Sequence, residues 1–192
     1  MTSEPGRRER VKAERRELIL RVAREMAEAE GWDAVTTRRL SERIEYSQPV
    51  LYSHFANKDA IIAAVAEQGI AELSAAIGAA RRGQVERRPL LRAVADAYLD
   101  FAAANPALYH AMFTLDVGLR FARPDSPEVL KEAFGQFVAA FEAVVEDPAL
   151  IGTFTEVGWA ALHGLATLTR DGRLADGEHD ARVDMLVDRL LA

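Results

Sequence analysis

The chain contains no cysteine, which removes disulfide frameworks, thiol nucleophiles and cysteine-based zinc sites, and fits a reducing compartment. Aromatic residues are sparse at 7% against 49% hydrophobic residues overall, so the core is aliphatic. Strict apolar/polar alternation is nowhere sustained and no hairpin turn signal occurs, which argues against a sheet. No apolar stretch comes near the roughly 20 residues that span a bilayer. The polar start MTSEPGRRERVKAERR has no apolar stretch of the kind a secretory signal needs. A soluble, cytoplasmic protein is expected. Basic excess is missing too: the formal net charge is −6, which at first sight speaks against a nucleic-acid partner.

The distribution of charge reverses that impression. Residues 1–60 carry 12 basic and 11 acidic side chains, whereas the rest of the chain carries 12 and 19. Arg7, Arg8, Arg10, Lys12, Arg15 and Arg16 stand in the first sixteen residues against three Glu. A small DNA reader fused to an acidic partner domain needs positive charge only where it faces phosphate. A solvated N-terminal arm would look the same on charge alone.

What the sequence does have is helical spacing throughout. Val11, Leu18, Ile19, Val22, Met26 and Ala29 predict a first helix over 9–29, stopped at Gly31. Thr36 and Thr37 offer an N-cap for a short helix over 38–44, and Ser47 for another over 48–55 with Pro49 in its first turn. Further helices are predicted over 57–80, 89–104, 107–115, 128–145, 153–170 and 180–191. The fold class is therefore all-α, with about nine helices. The expected division is residues 1–56 as a DNA-binding module, with 1–8 a flexible basic arm, and 57–192 as a larger helical domain.

Two short helices joined by a three-residue turn, Glu45-Tyr46-Ser47, and braced by an amphipathic first helix form a helix-turn-helix. Its side chains suit DNA. Gln48 can pair an adenine edge, Arg38 a guanine edge or a phosphate, and Pro49 and Val50 a thymine methyl. Thr37, Tyr52, His54 and Lys58 supply donors for the sugar-phosphate backbone. His54 has no second ligand at metal spacing, and no cofactor or metal is expected.

The stretch TTRRLSERIEYSQPVLYSHFANKDAI, residues 36–61, resembles the DNA-binding signature of the tetracycline-repressor family of regulators. The resemblance implies base contact by Arg38, Gln48, Pro49, Val50 and Ser53, phosphate contact by Thr37, Tyr52, His54 and Lys58, and packing by Trp32, Leu40, Ile44, Leu51 and Phe55. Two departures stand out. Glu45 occupies a turn position where members usually have Gly, and Ser53 is smaller than the residue common there.

In the remaining two-thirds, Tyr98, Phe101, Tyr109, Met112, Phe113, Phe134, Phe137 and Phe141 fall on the fifth to seventh helices. Such spacing is by itself more often plain core than a ligand box. The family resemblance implies an effector cavity among these helices, and Trp159-Ala-Ala-Leu-His163-Gly164 resembles the W…HG element of one C-terminal subclass. His163 then either faces that cavity or is structural. The resemblance also implies a dimer through the last two helices, where Leu162, Leu165, Leu168, Val183, Leu186, Val187 and Leu190 lie. The expectation is a homodimeric repressor that reads a double-stranded palindromic operator and is released by a small hydrophobic or amphipathic effector. A helical protein–protein adaptor is the alternative. A small enzyme is disfavoured, because no nucleophile–base arrangement or phosphate loop accompanies the four histidines.

Overall fold

The computed structural model describes residues 4–121 and 123–192, and among these it contains nine α-helices and no strand. They are α1 (Glu4–Glu30), α2 (Thr37–Arg43), α3 (Gln48–Tyr52), α4 (Lys58–Arg81), α5 (Arg87–Ala104), α6 (Pro106–Phe113), α7 (Glu128–Phe141), α8 (Ile151–Arg170) and α9 (His179–Leu190). Single 3₁₀ turns at Trp32–Ala34 and Pro148–Leu150 precede α2 and α8. The predicted all-α class holds. Of the arm expected over 1–8, residues 1–3 lie outside the described residues, and the helix already begins at Glu4.

The chain divides into two compact units, one of residues 1–69 with 107–119 and one of residues 70–106 with 120–192. The boundary between these units falls inside α4. In the first unit, Ile19, Leu20, Val22, Ala23, Met26 and Ala27 turn one face of α1 inward, and Leu40, Leu51, Phe55, Ile61 and Val65 are buried in the same unit. That stripe starts late. Residues 6–17 are all exposed, including Val11, which sequence periodicity assigned to the apolar face.

The short connection between α1 and α6 is made of named hydrogen bonds. Glu28 accepts from the Ala107 and Leu108 amides at 3.0 and 2.9 Å, satisfying two donors at the start of α6 that have no intrahelical partner. Trp32 Nε1 donates to the Ala107 carbonyl at 2.7 Å, and Lys58 Nζ donates to the Trp32 carbonyl at 2.7 Å. Gly69 lies where an added Cβ would come within 2.7 Å of Leu108 and 2.8 Å of Met112, so α4 and α6 approach too closely for a side chain.

In the second unit α5 packs on α7, α8 and α9, and α7 packs on α8. Leu90, Leu91, Val94, Ala95, Tyr98 and Leu99 recur at helical spacing and fill its centre together with Phe137, Phe141, Leu162, Val183 and Val187. Gly158 allows α8 to lie on Phe141, whose Cζ would be 2.5 Å from an added Cβ. Outside this core, Arg88 reaches Asp184 and Asp188 at 3.0 and 2.9 Å, while Arg92 reaches Asp96, Asp180 and Asp184 at 2.8, 2.6 and 3.0 Å. Hydrogen bonds to Asp96 and then Asp180 hold the Arg92 guanidinium charged, and those from Arg88 and then Arg92 push Asp184 below the usual carboxylate range. α5 and α9 are thus joined by a shared ion network as well as by Val183 and Val187.

Among the described residues one helix has the length and composition to cross a membrane: α4, with a mean hydropathy of 1.5 over its most apolar window. This corrects the sequence reading that no stretch comes near such a length, and arises from the many Ala between its larger apolar residues. Half of that window is buried within the protein, with Ile61, Ile62, Val65, Ile70, Leu73 and Ile77 turned inward, as in a core helix.

Candidate nucleic-acid interface

The α2–α3 pair is built by local chemistry. Thr36 accepts from the Arg39 amide at 3.2 Å, capping α2, and Arg39 bonds the Glu30 carboxylate at 2.9 Å and the Ala34 carbonyl at 3.0 Å, fixing α2 to the end of α1. α2 ends in a paired arrangement in which the Tyr46 amide donates to Ser41 and the Glu45 amide to Glu42, at 3.1 and 3.4 Å. That closure requires a left-handed residue at position 45. Glu45 supplies it with φ 58°, the one non-glycine residue with positive φ among those described. The turn therefore keeps the geometry usual with glycine, and Glu bears the steric cost.

Leu40, Ile44, Leu51, Phe55 and Trp32, the expected packing set, are all buried. Ser47 does not cap α3 through its side chain, contrary to expectation; Pro49 in the first turn presets the backbone instead. α3 stops at Tyr52, short of the predicted Phe55. Ser53 Oγ turns back to donate to the Val50 carbonyl at 2.6 Å, and the chain bends toward Asn57, whose Oδ1 accepts the Ala60 amide at 2.8 Å at the start of α4.

This framework leaves Gln48, Pro49 and Arg38 exposed and Val50 half-buried at the start of the two helices. Arg38 pairs with Glu42 at 2.9 Å, but with 79% of its side chain exposed. An exposed pair of this kind contributes only about 0.3–0.5 kcal/mol and is readily exchanged for another acceptor. Thr37 Oγ1 and Tyr52 Oη approach to 3.5 Å, so α2 and α3 present two hydroxyls side by side. Lys58 differs from the expectation in one respect. Its ammonium already holds the Trp32 carbonyl, so at least one of its three donors has a structural task.

The basic residues that the sequence offered either as phosphate-facing charge or as a solvated arm lie on α1 beside this surface. Arg7, Arg8, Lys12 and Arg15 line a groove of about 630 Å³ whose other wall is Ser53 and His54. The Arg15 guanidinium lies 5.6 Å from the Tyr46 ring centre and that of Arg16 4.4 Å from Phe55. Burial, and then Lys12, Arg15 and Arg16, hold the His54 imidazole below its usual value of 6.5. The i, i+4 and i+7 spacing of Arg8, Lys12 and Arg15 is the signal that was available. Among the described residues no group of His, Cys, Asp and Glu is arranged to hold a metal.

The residues expected to bind an effector separate. Tyr109 and Met112 are fully buried in the first unit, where Tyr109 meets Phe113 edge-on at 4.9 Å. Tyr98, Phe101, Phe134, Phe137, Trp159 and His163 belong to the second. There Trp159 Nε1 donates to Tyr98 Oη at 3.1 Å, Tyr98 meets Phe137 edge-on at 5.7 Å, and Phe121 lies 6.3 Å from the Trp159 ring. Half-buried His163 is held below 6.5 by burial and then by Arg170. Of the expected dimer residues, Leu162, Val183 and Val187 are buried inside the protomer, on helices that pack against α5. Leu165, Leu168, Leu186 and Leu190 retain exposed surface, and Val157 and Met185, which the sequence did not single out, are exposed at 59% and 66%.

With this geometry in place, comparison with known proteins is direct. Residues 91–192 match the tetracyclin repressor-like C-terminal domain, and residues 19–65 match the bacterial regulatory proteins of the tetR family. The chain belongs to the tetR family. Its members are regulators rather than enzymes. Over 52 residues, 27% of this chain and 24% of the relative, it is 48% identical to tetracycline repressor protein class C of Escherichia coli. Over 103 residues, 54% of this chain and 47% of the relative, it is 31% identical to the HTH-type transcriptional activator FasR of Mycolicibacterium smegmatis. The chain thus spans between a quarter and a half of these relatives' lengths. A solved structure of a protein of unknown function from Rhodococcus sp. RHA1 is 26% identical with a TM-score of 0.75, covering 92% of this chain and 93% of that one.

Proposed function

We propose that this tetR-family protein is a ligand-responsive transcriptional repressor that acts in the cytoplasm as a homodimer on a palindromic DNA operator. The observation that carries the reading is the exposure of Gln48, Pro49 and Arg38 on a helix pair whose Leu40, Ile44, Leu51 and Phe55 are buried. Hydrogen-bonding side chains are thereby held out from a rigid support, as base reading in a major groove requires. In this role residues 1–56 form the reading module. Gln48, Arg38, Pro49, Val50 and Ser53 face bases, and Thr37, Tyr52, His54 and the remaining donors of Lys58 face phosphates.

A dimer places two copies of α3 about 34–36 Å apart, one turn of DNA. Its interface is assigned to Leu165, Leu168, Leu186 and Leu190, joined by Val157 and Met185. The effector is small and largely apolar, and is assigned to Tyr98, Phe101, Phe134, Phe137, Trp159 and His163, in keeping with the W…HG subclass. Tyr109, Met112 and Phe113 are assigned to the response. α6 follows α5 through Asn105, and Glu28 and Trp32 grip its first residues, so a shift in α6 is delivered to the end of α1. Whatever factor the effector takes from DNA affinity, DNA takes from effector affinity. Selection of bound sequences from random duplexes, followed by salt-titrated binding, tests the proposal. A two-fold symmetric site is expected; absence of salt-dependent duplex binding would overturn it.

A further inference from the structure

Arg81 and Arg92 are both half-buried arginines of the second unit, and their charges are met in different ways. Arg92 reaches the carboxylates of Asp96, Asp180 and Asp184. Arg81, in the last turn of α4, pairs with no carboxylate among the described residues. Its Nη1 donates to Gln136 Oε1 at 2.8 Å, and its Nε is buried with no partner. A buried N–H left unmade carries the full cost of its desolvation, and more so on a charged group. Acidic residues are not in short supply, since residues 61–192 hold 19 of them against 12 basic ones.

The surroundings of Arg81 are arranged to keep it this way. Gly78 lies one turn earlier on the same face of α4. An added Cβ there would come within 3.1 Å of Gln136 Oε1 and 3.5 Å of its Cδ, so a side chain at 78 would press the amide away from Arg81. With Oε1 turned to Arg81, Gln136 Nε2 carries two further donors. The pair therefore offers N–H groups, while its one side-chain oxygen already accepts from Arg81. Because Gln136 takes Nη1, the Nε–Nη2 edge of the guanidinium is left, and that edge bonds a carboxylate side-on through two parallel hydrogen bonds. One guanidinium balances one carboxylate charge. Phe137, the next residue of α7 and about 100° further round it, is buried and meets Tyr98 edge-on at 5.7 Å, and Trp159 bonds Tyr98. The donor pair and the aromatic group thus occupy adjoining faces of one helix.

We propose that the effector is an amphipathic acid whose carboxylate is held by Arg81 with Gln136 beside it, and whose apolar body lies on the aromatic group of Phe137, Tyr98 and Trp159. This rests on the ligand-responsive reading above. The test uses the full chain with decanoate and phenylbutanoate as probes, against decanol and phenylbutanol. Binding is followed by calorimetry and by tryptophan fluorescence, and a cooperative melting transition shows that each variant is folded. At least one acid is expected to bind about tenfold or more tighter than its alcohol, the worth of one charged contact. Arg81→Gln is expected to erase that preference and leave the alcohol's affinity unchanged. Gln136→Glu supplies Arg81 with an internal carboxylate of similar size and is expected to exclude the acid while sparing the alcohol. Failure of both acids to bind, alcohols that bind as tightly as the acids, or an acid preference that survives in either variant overturns the proposal. Operator release by the alcohols alone also overturns it and leaves the ligand-responsive reading standing. An acid that binds through Arg81 without altering operator affinity keeps the site and overturns that reading instead.

Discussion

At the scale of single residues, Glu45 has the clearest energetic signature. It holds φ 58° so that the Tyr46 and Glu45 amides can close α2, and a side chain in that region costs about 1–2 kcal/mol. Glu45→Gly is expected to raise stability by about 1 kcal/mol, the gain being reduced by glycine's greater freedom when unfolded; urea titration reads it. Gln48 and Lys58 separate by a different measurement. Gln48→Ala is expected to leave the melting temperature alone while relaxing selectivity at one operator position by about 1–3 kcal/mol. Lys58→Ala also removes the donor to Trp32, so it is expected to lower stability by about 1–2 kcal/mol as well as weaken all DNA alike. A Lys58→Ala protein with unchanged stability would show that this hydrogen bond contributes nothing. His163 gives a pH signature. Its folded-state value lies below 6.5, so the unfolded chain takes up the proton first as pH falls. Stability is expected to be full above 6.5 and to decline as pH drops through and below it, with a shallower decline in His163→Gln.

At the scale of elements, the informative unit is the start of α6. A helix beginning at Pro106 exposes amides with no partner of their own, and Glu28, two residues before α1 ends, supplies the acceptor for two of them. Glu28→Ala is expected to cost about 1 kcal/mol, as loss of a helix cap does. It is also expected to weaken the effect of any effector on DNA affinity, since the grip on α6 then rests on Trp32 alone. Effector-dependent release that is undiminished in Glu28→Ala would remove this contact from the proposed response. The helices themselves were readable from periodicity, with ends displaced by a few residues. The displacement of α3 has a local cause, the Ser53 hydroxyl bonding back to Val50. The exposure of Val11 has a non-local one, since it lies in the open groove opposite Ser53 and His54 rather than against the core.

For the whole molecule, the proposed dimer turns on which apolar residues the protomer leaves uncovered. Leu168 and Met185 are 41% and 66% exposed, whereas Val183 and Val187 are spent on the protomer's own core. Leu168→Glu combined with Met185→Glu is expected to yield a folded monomer by sedimentation with sharply weakened operator binding, because each head alone holds only half the site. Val187→Glu should instead unfold the second unit. A double variant that still sediments as a dimer would place the interface elsewhere.

The sequence alone determined the helical class, the α2–α3 pair with its Thr36 cap and the identity of its exposed and buried residues, because these depend on spacing within a few turns. It also carried the departure at Glu45, since a tight turn dictates backbone conformation locally. Tertiary structure decided what depends on residues far apart in the chain. It brought Lys12 and Arg15 beside His54, gave Lys58 the Trp32 carbonyl, tied Glu28 to α6, and divided the apolar faces of α8 and α9 between core and surface. Periodicity marks which face of a helix is apolar, but only packing determines how much of that face the protomer itself covers.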